Sequence, residues 1–462
     1  MKTSRARFLV AVGALTALSG CVSTPVASPS APAPSPSPTT SPAASATASR
    51  AGSIVIVGHI VTMAEPAVVE ALYIEDGLVA AVGTKDEVLS LAPDDVPVAD
   101  IGAYVAYPGF IDAHSHWIGD SNYYHQSTPA DGMDRAAERG WTSISEQWIN
   151  PEKLGWLTGF ADDDAMPIRV DAYLALNFDK EFLGDWYVDE ERGPVDDRLR
   201  LQGLKIHLDD GGGNVINWEQ GDLTATIGRA NDAGWQVSVH AMSSVALDML
   251  LDAYEAAIGP TGPNPLHHRV EHAIQVTDEQ VARMVAMDLA TVIHLDGEPD
   301  WVLWDGLLTG LDRDDPDQMA EIARFRDFVD AGLHVASATD APWTFPDDFE
   351  LTDDIGRPVD QIAAGMDGRV RTSPETPPWM LDQLLTAEQG LRAVTIDAAY
   401  ALGDETRRGH LAPGTLGDVT ILSGDIAKAS PEEIRALRVV ATIVGGIPAY
   451  CGHPAICSRL GG

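Results

Sequence analysis

Val105-Ala106-Tyr107-Pro108-Gly109-Phe110-Ile111-Asp112-Ala113-His114-Ser115-His116-Trp117 reads as a proline–glycine turn, a short apolar strand and two histidines one residue apart. Successive strand side chains point to opposite faces, so His114 and His116 share a face while Ser115 points away. Two imidazoles side by side at a strand end make a pair of metal ligands. A hydrogen-bonded structural pair has the same spacing, so the rest of the chain must decide between them.

Downstream of this stretch, strand and helix patterns alternate. Further strands are expected at 142–147, 168–176, 203–208, 236–240, 268–272, 290–294 and 334–339, with helices such as 244–257 and 278–287 between them. With the opening strand this makes eight strands, the pattern of a (β/α)8 TIM barrel whose site lies at the C-terminal strand ends. Upstream, from 53 to about 100, short β-runs separated by turns such as Glu75-Asp76-Gly77 read as a meander. The same texture returns at 417–422 and 439–446, so both chain ends are expected to build one small β-sandwich domain, residues 53–107 with 412–462, around a barrel of 108–411.

Metal-capable residues close several of the barrel strands: His114 and His116 on the first, Lys205 on the fourth, His240 on the fifth, His272 on the sixth and Asp340 on the eighth. The separations of 35, 32 and 68 residues between the last four match one βα unit per step, the last across two units. Singly, each histidine could be a hydrogen-bonded core residue, and Asp340 before Ala341-Pro342 could begin a turn. Lys205 is harder to explain that way. It is one of five lysines after residue 20, and it sits in an apolar strand where a buried ammonium is costly unless paired or modified.

Pro108-Gly109-Phe110-Ile111-Asp112-Ala113-His114-Ser115-His116 resembles the signature of the metal-dependent amidohydrolase superfamily. Val239-His240-Ala241-Met242, Arg269-Val270-Glu271-His272-Ala273, Ala338-Thr339-Asp340-Ala341-Pro342 and Arg408-Gly409-His410-Leu411-Ala412-Pro413-Gly414-Thr415-Leu416-Gly417-Asp418 resemble its third amidohydrolase family, the branch with the N-substituted formamide deformylases. Two departures stand out: a short connection between the first two barrel strands, and Ser243-Ser244 where the branch has Gly-Asp. The resemblance implies that His114, His116 and Asp340 hold one divalent metal and His240 and His272 a second, bridged by carbamylated Lys205. Zinc is the expected ion, with manganese or iron as alternatives. In a one-metal version His114, His116, His240 and Asp340 are the ligands and His272 polarises the substrate. In both, Asp340 moves the proton from water to the leaving nitrogen. The implied activity is hydrolysis of non-peptide C–N bonds in linear or cyclic amides. The alternatives are a dipeptidase, lactonase or carbamate hydrolase, or a binding lipoprotein without catalysis.

Strand parity adds His207, two residues after Lys205, together with Glu146 and His294 at strand ends, as substrate contacts. Trp117, Tyr123, Tyr124, Trp301 and Trp304 fall in expected mouth loops, Trp117 nearest the histidine pair. Asp209-Asp210-Gly211-Gly212-Gly213 should form a flexible mouth loop, and without a following Lys-Ser/Thr it is not a phosphate loop.

The N-terminus is a separate matter. Lys2, Arg5 and Arg7 precede an apolar run from Phe8 to Leu18, too short to span a bilayer and typical of a secretory leader, here residues 1–20. Leu18-Ser19-Gly20-Cys21 resembles the lipobox of bacterial lipoproteins, which implies lipidation at Cys21 and an exported, membrane-anchored enzyme. The Ser/Pro/Ala-rich stretch 21–52 cannot offset its ordering entropy and reads as a tether. Cys451 and Cys457, six apart, are expected to close a disulfide outside the cytoplasm; a zinc site with His453 would lack a fourth ligand. The composition, 45% hydrophobic and 21% charged, is that of a globular chain. Net charge is −39, or −42 without the leader's three basic residues, which argues against nucleic acid as a partner. The expected partners are therefore a small amide and a membrane reached through the lipid, with a homo-oligomer left open.

Overall fold

The computed structural model describes residues 51–121, 127–210, 215–303, 311–344, 355–370 and 375–460. The chain divides into a unit Met1–Thr47 and a unit Ala48–Gly462. The leader, Cys21 and the tether up to residue 50 lie outside the described residues, as do Tyr123, Tyr124, Gly211 to Gly213 and Trp304. Among the described residues no helix is long and apolar enough to cross a membrane.

Strands from both chain ends form one seven-stranded sheet in the order Ile447–Cys451, Val439–Val444, Val419–Leu422, Val98–Pro108, Ile54–Val61, Val68–Glu75, Leu78–Gly83. The meander expectation holds for Ile54–Val61, Val68–Glu75 and Leu78–Gly83, which pair antiparallel. Val98–Pro108 instead runs parallel to Ile54–Val61, and a parallel neighbour needs a crossover. Helix Lys85–Leu91 supplies it, begun by Thr84, whose hydroxyl donates to Glu87 at 2.6 Å. Alternation divides the side chains between two cores. Val55, Val57 and Tyr73 pack with Val88 of the helix, while Ile54, Ile56, Leu72 and Ile74 share a cluster with Ile421 and Ile443 from the far end of the chain. The two chain ends thus build one sheet with a core on each face.

Val98–Pro108 runs on through Gly109 into the barrel. A Cβ at Gly109 would lie 2.2 Å from Thr142 Oγ1, so only glycine lets the chain cross there. The barrel strands are Phe110–Ser115, Trp141–Ile149, Arg169–Ala175, Leu199–His207, Gln236–Ala241, Arg269–His272, Ala290–Ile293 and Val335–Ser337, parallel neighbours in chain order. The last meets the first just beyond its own end: Asp340 N donates to His114 O at 2.9 Å and His116 N to Ala341 O at 2.8 Å. Helix Ile396–Ala401 packs at the end where the strands begin, where Gln202 and Gln236 side chains donate to the Leu402 and Ala401 carbonyls. The opposite end, where the strands finish, is left to the histidines.

Candidate metal centre

Three side chains meet where the barrel closes. His114 Nε2 and His116 Nε2 lie 3.4 and 3.3 Å from the same oxygen, Asp340 Oδ1. The other nitrogen of His114, Nδ1, is 2.7 Å from Glu271 Oε2. Burial alone would raise the Glu271 carboxyl, but the paired Arg269 guanidinium overcomes this and keeps it ionised, able only to accept. His114 must therefore donate from Nδ1. Burial, and then the charge of Lys205, holds His114 well below its ordinary pKa, so the ring is neutral and Nε2 carries a lone pair. That lone pair faces a carboxylate oxygen, acceptor against acceptor. A divalent cation held by these side chains would resolve the conflict, and imidazole with carboxylate is a donor set that suits one.

A second group lies beside the first. Lys205 is 1% exposed and its Nζ has no hydrogen-bond partner; burial pushes its pKa down to about 8 against the pull of Glu271 and Asp340. His240 Nε2, His272 Nδ1 and His294 Nε2 are also buried without hydrogen-bond partners, the first 3.6 Å from Asp209 Oδ1. The His240 and His272 rings are 4.3 Å apart, and those of His272 and His294 4.8 Å. Burial first, then mutual repulsion among the rings and Lys205, keeps His240 and His272 well below their ordinary pKa. Neutral imidazoles with free nitrogens suit a metal, and a buried lysine whose Nζ has no hydrogen-bond partner suits conversion to an anionic carbamate. Side-chain atoms of His114, His272 and His294 also come within 4.8 Å of one another, as do those of His114, His116 and Asp340. His272 and Asp340 adopt left-handed backbone conformations, with φ of 73° and 50°. Strain of this kind at non-glycine residues collects at functional sites.

The remaining expected site residues are used in different ways. His207 is at the mouth, its ring 4.3 Å from that of His240 and its Nδ1 3.0 Å from Asp179 Oδ1. His294 holds the Ala338 carbonyl through Nδ1 at 3.1 Å. Glu146 turns to the chain after His116, accepting from Gly119 N at 2.7 Å and Ile118 N at 3.2 Å, and burial pushes its pKa up to about 8. Its carboxylate is spent on that turn. Trp117 is in the core rather than at the mouth, donating to Asp112 Oδ2 at 2.9 Å. Trp301 is at the mouth, 5.1 Å from the His294 ring. Asp209 is not a mobile loop residue: it accepts from Met242 N, Ser243 N and Ser243 Oγ. Ser243 in turn caps helix Ser244–Ile258, which gives the departure at Ser243-Ser244 a local role. Cys451 and Cys457 form a disulfide with Cα atoms 5.7 Å apart.

Two residues at the mouth carry no sequence signal of their own. Glu271 orients His114, and could have been suspected only from its place beside His272. Trp148 stands between His116 and His207, its ring 5.0 Å from each.

An amidohydrolase family model (Amidohydro_3) matches residues 128–450. The N-substituted formamide deformylase of Arthrobacter pascens is 27% identical over 258 residues, covering 56% of this chain and 43% of the relative. A Bacillus subtilis (strain 168) protein with the provisional amidohydrolase name YtcJ is 25% identical over 356 residues, covering 74% and 58%. The chain thus spans about half the length of these curated relatives. Among solved structures, an uncharacterized metal-dependent hydrolase from Pyrococcus horikoshii OT3 superposes with a TM-score of 0.66 at 16% identity, over 82% of this chain and 99% of that one. Atrazine chlorohydrolase TrzN from Arthrobacter aurescens TC1, complexed with zinc, gives 0.59 at 16% identity over 88% and 99%. At these identities the likeness is one of fold.

Proposed function

The chain belongs to the amidohydrolase family, and on that premise we propose that it is a metal-dependent hydrolase of non-peptide carbon–nitrogen bonds in small amides. One observation carries the reading: Lys205, buried and unpartnered, lies among neutral histidines and Asp340 at the end of the barrel where catalytic groups collect. His114, His116 and Asp340 would hold one ion, and His240, His272 and carbamylated Lys205 a second. A bound divalent metal would acidify water and polarise the substrate carbonyl.

The side chains supply the rest. Glu271 keeps His114 in one tautomer and one orientation. The Asp340 carboxylate takes the proton of the attacking water and passes it to the amine nitrogen as the C–N bond breaks, so amide and water become carboxylate and amine. His272, with Nδ1 free, is placed to donate to the carbonyl oxygen if only one metal binds. A panel of N-substituted formamides, N-acyl amino acids, hydantoins and lactones, given to metal-loaded protein, tests the reading. Turnover of amides is expected; turnover of lactones alone would contradict it.

Export and lipidation at Cys21 form part of the same proposal. The Cys451–Cys457 disulfide supports it, because such bonds persist outside the reducing cytoplasm. Cys21→Ser should move the protein from the membrane fraction to the soluble fraction. Unchanged membrane retention would refute the anchor.

A further inference from the structure

We propose that Trp148 and Phe178 form the wall that receives a flat apolar substituent of the substrate, and that the Trp148 indole N–H donates to an oxygen of the bound molecule. The inference rests on the metal-hydrolase reading and extends it to substrate class: an amide with an aromatic or similarly flat group beside the scissile bond.

Four observations converge on Trp148. The first is register. Along Trp141–Ile149, Gln147 faces the barrel interior, where it accepts from Ser238 Oγ at 3.2 Å, so alternation would turn residue 148 away from it. An extra residue interrupts the pairing with the next strand, Glu146 lying opposite Ala172 but Ile149 opposite Leu174. A bulge of this kind re-aims a side chain. The second is backbone strain: Trp148 has φ of 55°, a left-handed conformation unfavourable for a bulky side chain. The third is its surroundings. The bulge and the strain together bring the indole against His116, His207 and, with Nζ 5.9 Å from the ring centre, Lys205. The fourth is an unmet donor: the indole nitrogen is buried with no hydrogen-bond partner. A buried donor left unmet is destabilising. Packing alone explains none of these costs; a ligand that supplies an acceptor explains the last, and a need for the indole at this place explains the others.

Phe178 continues the wall outward. Its ring is 4.9 Å from that of Trp148, yet the residue is 47% exposed. It belongs to a short hairpin in which Asn177–Phe178 pairs with Glu181–Phe182. The hairpin is tied to the site. Asn177 Nδ2 donates to the His207 carbonyl at 2.8 Å, Asn177 Oδ1 accepts from His207 N at 3.0 Å, and Asp179 reaches His207 Nδ1. An exposed phenylalanine on a hairpin fixed this firmly offers an apolar ramp from solvent to His116.

Benzohydroxamate and acetohydroxamate test this with full-length, metal-loaded protein, because both chelate a metal and differ only in the phenyl group. The wild type should bind benzohydroxamate about tenfold more tightly or better, the scale expected for burying a ring. Phe178→Ala, an exposed change that spares the core, and Trp148→Ala should each bring that ratio towards one, while Trp148→Phe should keep most of it and weaken both compounds about three- to tenfold. Circular dichroism establishes that each variant is folded. An unchanged ratio in Phe178→Ala and Trp148→Ala would overturn the wall, and Trp148→Phe binding both compounds as well as wild type would overturn the donor. Binding of neither compound by the wild type would overturn the metal-hydrolase reading itself and this inference with it.

Discussion

The two ends of the barrel both bury charge, and they treat it in opposite ways. Where the strands begin, buried arginines and carboxylates answer one another. Arg408 donates to Asp171 and Asp404, Arg200 to Asp171, and Arg169 to both oxygens of Asp418. Arg169 joins the barrel to the terminal sheet in doing so. A cavity of about 290 Å³ at this end is lined by Arg169, Asp171, Arg200, Asp404 and Arg408. Where the strands finish, Lys205, His240, His272 and His294 are equally buried and each presents a nitrogen with no hydrogen-bond partner. Paired buried charge holds a fold together at some cost; unpaired buried polar groups are a cost that a ligand or an ordered water relieves. The contrast supports the proposed placement of the working site at the mouth.

That contrast can be broken most forcefully at Asp340. Asp340→Asn should lower amide turnover about 10²–10⁴-fold, the range for loss of a general acid–base group, with the melting temperature nearly unchanged. Full activity in the variant would remove Asp340 from the reaction. The two ends should then separate when one cation is removed from each. Arg408→Met leaves Asp171 and Asp404 short of a buried partner and should destabilise the protein by about 3–5 kcal/mol in denaturant unfolding. Lys205→Met removes a buried ammonium that makes no hydrogen bond, so the metal-free protein should be as stable as wild type or more so, although its metal binding is impaired. Equal destabilisation by both would mean that the ends do not differ as described.

Smaller effects sharpen the comparison. Glu271→Gln keeps the shape but no longer compels His114 to donate from Nδ1, and should weaken metal affinity about 10–100-fold. Isothermal titration with zinc reads this directly. At the other end, burial would raise the Asp418 carboxyl, but Arg169 overcomes it and holds the pKa below the usual range. A depressed carboxylate contributes stability above its unfolded pKa and loses it as pH falls through the folded value. The melting temperature should therefore fall as the solution is acidified below about pH 4, and Asp418→Asn should flatten that part of the profile. An identical acid profile in the variant would exclude the pair as a source of acid lability.

Most of the frame was legible because it rests on periodicity. The strand ending at His116 and those ending near Lys205, His240 and His272 follow from apolar runs at βα spacing, and a barrel then brings their ends together. Trp148 was not legible, because it depends on a bulge, and one extra residue leaves no mark on the sequence of a strand while reversing a side chain. Trp117 misled for the opposite reason. It follows the histidine pair directly, yet the chain turns there, and its indole goes inward to Asp112. Glu146 drew notice as a carboxylate at a strand end, but the bare amides of Ile118 and Gly119 claim it. The parallel place of Val98–Pro108 depended on a seven-residue helix whose capping signal, Thr84 with Glu87, is easily taken for a turn. Unaided sequence reading locates chemistry that sits on regular elements and misses chemistry carried by irregular ones.

The most direct test of the central claim is the metal content of purified, exhaustively dialysed protein, measured by elemental mass spectrometry beside His116→Ala of matched circular dichroism. One or two divalent ions per wild-type chain, with a clear loss in the variant, is the predicted result. A wild-type chain that carries no stoichiometric metal and still hydrolyses amides would contradict it.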